Sequence, residues 1–98
     1  MIKKILQPET ENKFHKIYDF ICTEILPKYD NLTECYYEKE DDGEINHYYW
    51  VRYKNYMEFT EREKLHKKLL ESIYNYCIKY NYEKEFNMII LLLVRKNE

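Results

Sequence analysis

The chain has 98 residues, 45% of them apolar and 35% charged, with one glycine, two prolines and a net charge of −2. That composition excludes a disordered chain and a strongly basic nucleic-acid binder. It predicts one domain over residues 1–98, burying roughly 65% of its unfolded surface without disulfides.

The three cysteines, Cys22, Cys35 and Cys77, are odd in number and widely spaced. They read as reduced thiols, buried and unreactive in the case of Cys22 and Cys77, in a cytoplasmic protein. Met1 to Leu6 carries positive charge but no apolar run of signal-peptide length before Pro8. The longest apolar run, Met88 to Val94, is too short to cross a bilayer as a helix. Charge is lopsided: residues 1–50 carry six Lys/Arg against eleven Asp/Glu, and residues 51–98 carry ten against seven.

In chain order, Ile2, Ile5 and Leu6 mark a weak strand. Pro8 and the carboxylates Glu9 and Glu11 suit a helix start. Phe14, Ile17, Tyr18, Ile21, Cys22 and Ile25 then recur at helical steps, which predicts a helix over 9–26. Pro27 disfavours helix at Leu26 and should end it there.

Two tyrosine-rich β segments follow, Thr33–Glu40 and Ile45–Tyr53, on either side of Asp42-Gly43. Read as a two-residue turn, Asp42-Gly43 sets Asp41 opposite Glu44, Tyr37 opposite Tyr48 and Cys35 opposite Trp50. On this register Thr33, Cys35, Tyr37, Tyr48, Trp50 and Arg52 share one face. Glu34, Tyr36, Glu38, His47, Tyr49 and Val51 share the other. The first face holds fewer acids and is expected to meet the helices.

Thr60-Glu61-Arg62-Glu63 reads as a capping box opening a second helix over 61–80, with Leu65, Leu69, Ile73, Cys77 and Tyr80 along one side. Phe86–Val94 is almost wholly apolar and predicts a strand covered on both faces or central in the sheet. The fold class is therefore α+β: an antiparallel sheet with two helices on one face. The order strand–helix–strand–strand–helix–strand matches the ferredoxin-like arrangement.

No residue pattern assigns catalysis, a metal or a cofactor. In Glu38-Lys39-Glu40-Asp41-Asp42-Gly43-Glu44, a calcium-loop alignment puts Tyr49 where the bidentate glutamate must stand. His15, His47 and His66 share no metal spacing with one another or with the cysteines. One glycine, used in a turn, is too few for a phosphate loop.

The distinctive feature is a hairpin dense in both tyrosine and carboxylate. Tyrosine offers a large rigid contact with a polar tip, and interface centres are enriched in it. The expected site is a partner-binding surface of Tyr36, Glu38, Glu40, Asp41, His47 and Tyr49, with Glu38, Glu40 and Asp41 attracting a basic protein. Small immunity proteins and inhibitors of host defence work on nucleic-acid-acting partners in this manner. Two alternatives are a small-ligand or nucleotide sensor with its ligand between sheet and helices, and a single-stranded nucleic-acid binder stacking bases on the sheet tyrosines. The hairpin carboxylates disfavour the second.

Overall fold

The computed structural model describes residues 9–96. The strand candidate at 2–6 and Pro8 lie outside them. Helix α1 spans Glu9–Phe20 and runs on into a π turn, Ile21–Ile25, and a 3-10 turn, Leu26–Lys28. The Leu26 N–H bonds the Ile21 carbonyl, the five-residue step of a π turn. Pro27 supplies the reason. Its ring would collide with the carbonyl four residues back, that of Thr23, so the turn before it widens. The helical path thus passes the expected stop at Leu26 and ends beyond Pro27. Phe14, Ile17, Ile21 and Ile25 are buried along one side, as the spacing predicts.

Strands β1 (Leu32–Asp42) and β2 (Glu44–Tyr53) form an antiparallel hairpin. Asn31 closes its base: the side chain donates to the Asn55 carbonyl and accepts from the Asn55 N–H. At the tip Gly43 stands alone between the paired residues Asp42 and Glu44, at a φ of 95° that favours glycine. This register differs by one residue from the expected one, pairing Tyr37 with Tyr49, Tyr36 with Trp50 and Cys35 with Val51.

Such a slip turns over every side chain of one strand. The face assignment of β1 holds, and that of β2 is reversed. His47 and Tyr49, expected on the outward face, are only 1% and 0% exposed. Tyr48, Trp50 and Arg52, expected inside, lie on the face opposite the core. Near the base, a bulge at Thr33 shifts the pairing so that Leu32 joins Cys35 in the core.

Helix α2 spans Phe59–Lys79, the four-residue α3 spans Glu83–Phe86, and β3 spans Ile89–Arg95. Leu69, Ile73 and Cys77 of α2 are buried, whereas Tyr80 caps its end and is exposed. The helix begins one residue before Thr60. Its N-cap is Glu58, which makes no side-chain capping bond. The capping box centred on Thr60 is thus not formed. The C-terminus is well capped: Asn81 takes a φ of 64°, its N–H bonds the Ile78 carbonyl, and the Tyr82 N–H bonds that of Cys77. That pair of bonds is the Schellman motif.

Because α2 carries the chain back along the sheet, β3 enters parallel to β2, from His47 opposite Ile89 to Tyr53 opposite Arg95. The sheet is therefore mixed, not wholly antiparallel, and its described order is β1-β2-β3. The ferredoxin-like order is not established, since the last strand lies directly beside the second hairpin strand. β3 is at one end of the described sheet, with only Leu91 fully buried, rather than central.

One core joins Phe14, Ile17 and Ile21 to Tyr49, Val51, Leu69, Ile73, Cys77 and Leu91. Its polar bond is set by the register: the Tyr49 hydroxyl donates to the Phe14 carbonyl at 2.7 Å. The Phe14 ring lies flat on His47, centroids 3.4 Å apart, and the Tyr37 hydroxyl lies 2.6 Å from His47 Nδ1.

Two stability measurements check this account. In denaturant unfolding, Tyr49→Ala should cost roughly 3–5 kcal/mol, against less than about 1 kcal/mol for Tyr48→Ala on the other face. The opposite ranking would restore the two-residue turn. Thr60→Ala should change stability by less than about 0.5 kcal/mol, whereas Asn81→Val should cost about 1–2 kcal/mol through its left-handed backbone.

Candidate functional site

All buried strand side chains fall on the helix-covered face, and among the described residues no helix covers the other. Three cross-strand rows lie there. Tyr36, Trp50 and Leu92 form the middle row, Glu38, Tyr48 and Ile90 the row toward the hairpin tip, and Glu34, Arg52 and Val94 the row toward its base. The aromatic and aliphatic members are half-buried against each other. Apolar surface thus runs from β3 to the middle of the sheet, and carboxylates line the β1 edge.

Polar bonds hold this face in shape. The Trp50 indole N–H donates to Glu38 Oε1 at 3.1 Å, and the Tyr48 hydroxyl donates to Glu40 Oε1 at 2.9 Å. The Glu40 bond is also the main reason that the Tyr48 phenol titrates above its ordinary value. Arg52 lies 5.1 Å from the centroid of Tyr36, faces Glu34 at 3.9 Å, and donates to the Lys96 carbonyl. A shallow hollow of about 420 Å³ sits among Tyr36, Glu38, Trp50, Arg52 and Val94.

Of the six residues expected at the site, Tyr36, Glu38 and Glu40 are brought together here. Asp41 is exposed near the hairpin tip, opposite Ile45. His47 and Tyr49 are in the core and leave the set. The residues missed were Tyr48, Trp50 and Arg52, together with Ile90, Leu92 and Val94. One signal could have found the β2 trio. Val51 and Arg52 are adjacent, so only one of them faces the core, and burying the arginine costs far more.

Two other features lie on the helical side. A groove of about 760 Å³ runs between the π turn and α2, lined by the aromatics Phe20, Tyr76 and Tyr80, by Lys16, Lys28 and Lys79, and by the carboxylates Asp19 and Glu24. Phe20 stacks on Tyr76 with centroids 4.3 Å apart, and burial raises the Tyr76 phenol above its usual value. The second is a thiol. Cys22, expected buried and inert, is half-buried. A hydrogen bond from Cys35 brings its thiol down to about 7 against the opposing effect of burial, and one from Tyr18 assists. Cys77 behaves as expected: burial pushes its thiol up to about 11.

Among the described residues, no group of three or more His, Cys, Asp or Glu is placed to hold a metal ion, and no helix is long and apolar enough to cross a membrane. Comparison with family models, curated proteins and solved structures finds no match.

Because thiolate is the reactive form, alkylation of Cys22 by iodoacetamide should accelerate through a midpoint near pH 7, with Cys77 unreacted. The groups beside Cys22 that set this midpoint are Cys35, Tyr18 and Asp19. In Cys35→Ala the midpoint should rise toward the ordinary value of about 8.5. A midpoint unmoved by that substitution would remove Cys35 as the cause.

Proposed function

We propose that the open face of the sheet is a protein-binding surface for a basic partner, and that the protein acts as a non-enzymatic inhibitor or immunity-type binder in a reducing, cytoplasmic setting. The observation that carries this reading is the middle row: Tyr36, Trp50 and Leu92 lie side by side with no helix of the described residues over them, and Trp50 is bonded to a carboxylate. Aromatic anchors near an interface centre carry most of the affinity, with a polar rim around them. Anchors already held by hydrogen bonds lose less freedom on binding.

The charges on this face favour a cationic partner. Arg52 is engaged by Glu34 and by a backbone carbonyl, whereas Glu38 and Glu40 each keep a second oxygen for an incoming lysine or arginine. The exposed acids Asp41 and Glu44 extend the negative field toward the tip. Phosphates would be repelled by carboxylates bonded directly to the aromatic tips, which weighs against base stacking on this face. A nucleic-acid-acting enzyme is a partner with the required basic cleft.

A second reading is favoured by the groove beside α2. Its aromatic lining, with three lysines against the two carboxylates Asp19 and Glu24, suits a small ring compound of modest negative charge such as a nucleotide. A rise in melting temperature with nucleotides, lost in Lys79→Ala with Tyr76→Ala, would support it.

For the leading reading, Trp50→Ala should speed dissociation from a captured basic partner about 30-fold, as for an interface anchor worth about 2 kcal/mol. Its melting temperature should stay near that of the wild type. Glu38→Lys with Glu40→Lys should slow association and reverse the sign of its salt dependence. Unchanged capture by both variants would sink the proposal. Concentration-dependent self-association abolished by Trp50→Ala would make a second copy the occupant instead.

A further inference from the structure

The outer edge of β3 can be read from the ladder on its inner side. The His47 N–H bonds the Met88 carbonyl, and the Lys96 N–H bonds the Tyr53 carbonyl. A parallel ladder in phase with those two bonds engages Ile90, Leu92 and Val94. The N–H and C=O groups of Ile89, Leu91 and Leu93 therefore point outward, and among the described residues no strand pairs with them. His66 of α2 reaches this edge, its Nε2 lying 2.7 Å from the Leu91 carbonyl. A carbonyl only accepts, so that nitrogen carries the proton, and the oxygen keeps a second lone pair.

Native edges are commonly blunted by lysine, proline or a bulge. From Ile89 to Val94 β3 has none of these. Instead, Leu91, Leu92 and Leu93 line a cleft of about 250 Å³ together with Phe59, Arg62, Glu63 and His66 of α2. Phe59 is 62% exposed, and Tyr56, 66% exposed, lies against Arg95 at the end of the strand. Outward ladder groups, a cleft and two exposed aromatics thus coincide along one edge.

We propose that this edge captures an extended segment of a partner protein, apolar in its middle and acidic at its flanks, which adds to β3 as a further strand. Backbone bonds to the outward groups supply affinity, and pockets for alternate side chains supply selectivity. Residues of the incoming strand opposite Leu91 and Leu93 point to the helix-covered side, where the cleft takes an apolar side chain. The residue opposite Leu92 points to the open face. Charge sets the flanks: Arg62 borders the cleft, and Arg95 and Lys96 follow at the exit of the strand, whereas Glu63 is the one carboxylate of the lining. His66 on the outward Leu91 carbonyl puts the first turns of α2 over the edge. Two copies paired edge to edge would crowd two such helices over strands about 4.8 Å apart, less than the roughly 8–10 Å that packed helices need. A bare extended segment is the occupant that fits.

The test is fluorescence anisotropy of the full chain with a labelled peptide of alternating valine and leucine flanked by glutamates. Saturable binding is expected. One of the two patterns of alternate backbone N-methylation should abolish it, because only one set of peptide amides faces β3. Lysine in place of the flanking glutamates should weaken it about tenfold. Phe59→Ala should weaken it by a similar factor at an unchanged melting temperature. Leu93→Pro removes an outward N–H and no bond to β2, and should abolish binding. Should that variant not fold, the N-methylated peptides and Phe59→Ala decide. Trp50→Ala should bind the peptide as the wild type does, which keeps this edge apart from the open face. Absence of saturable binding, tolerance of both N-methylation patterns, or equal binding of the lysine-flanked peptide would each overturn the inference. Concentration-dependent self-association lost in Leu93→Pro would give the edge to a second copy and overturn it as well.

Discussion

The structure hangs on how one strand is turned, and Tyr49 decides it. With Gly43 alone at the hairpin tip, Tyr49 points into the helices and its hydroxyl finds the Phe14 carbonyl. A buried phenol without a partner would cost free energy, so bond and burial require each other. Around this contact His47 stacks on Phe14 and meets the Tyr37 hydroxyl, giving the core a connected polar seam. The same turn of β2 that buries Tyr49 sends Tyr48, Trp50 and Arg52 to the far side.

That far side shows how a sheet face rich in apolar surface is kept ordered with no helix of the described residues on it. Each aromatic there has a charged neighbour: Glu38 on the Trp50 indole, Glu40 on the Tyr48 hydroxyl, Arg52 over Tyr36. These contacts fix the rings, and they leave carboxylate oxygens facing outward. The acidity concentrated in the first half of the chain thus becomes acidity beside the aromatics of one face. In the proposed binding role, long-range charge would govern how fast a partner arrives, and the rings how long it stays.

The helical side carries a different kind of irregularity. Pro27 widens the turn before it, and the widened segment holds Cys22 at the point where Tyr18 anchors the helix to β1. π turns recur at functional positions, and this one borders the groove beside α2. The groove and the open sheet face lie on opposite sides of the core, so a ligand in one need not displace a partner on the other.

Much of this was legible in the residues. Helical spacing located the buried side of α1 and most of that of α2, because a 3.6-residue repeat survives errors of a residue at either end. The Asp42-Gly43 pair located the hairpin, and the succession of helical and strand patterns located the α+β class. Tyr36 and Glu38 lie on the face opposite the core, as the alternation along β1 predicts. Tertiary structure alone decided the rest. A two-residue turn and one centred on Gly43 differ by a single residue, yet strand side chains alternate with period two, so that residue exchanged Tyr49 for Tyr48 at the core. Thr60 looked like a cap from its neighbours, but packing started α2 earlier. Local rules bind residues a few positions apart, whereas register and strand direction are settled by contacts across the core.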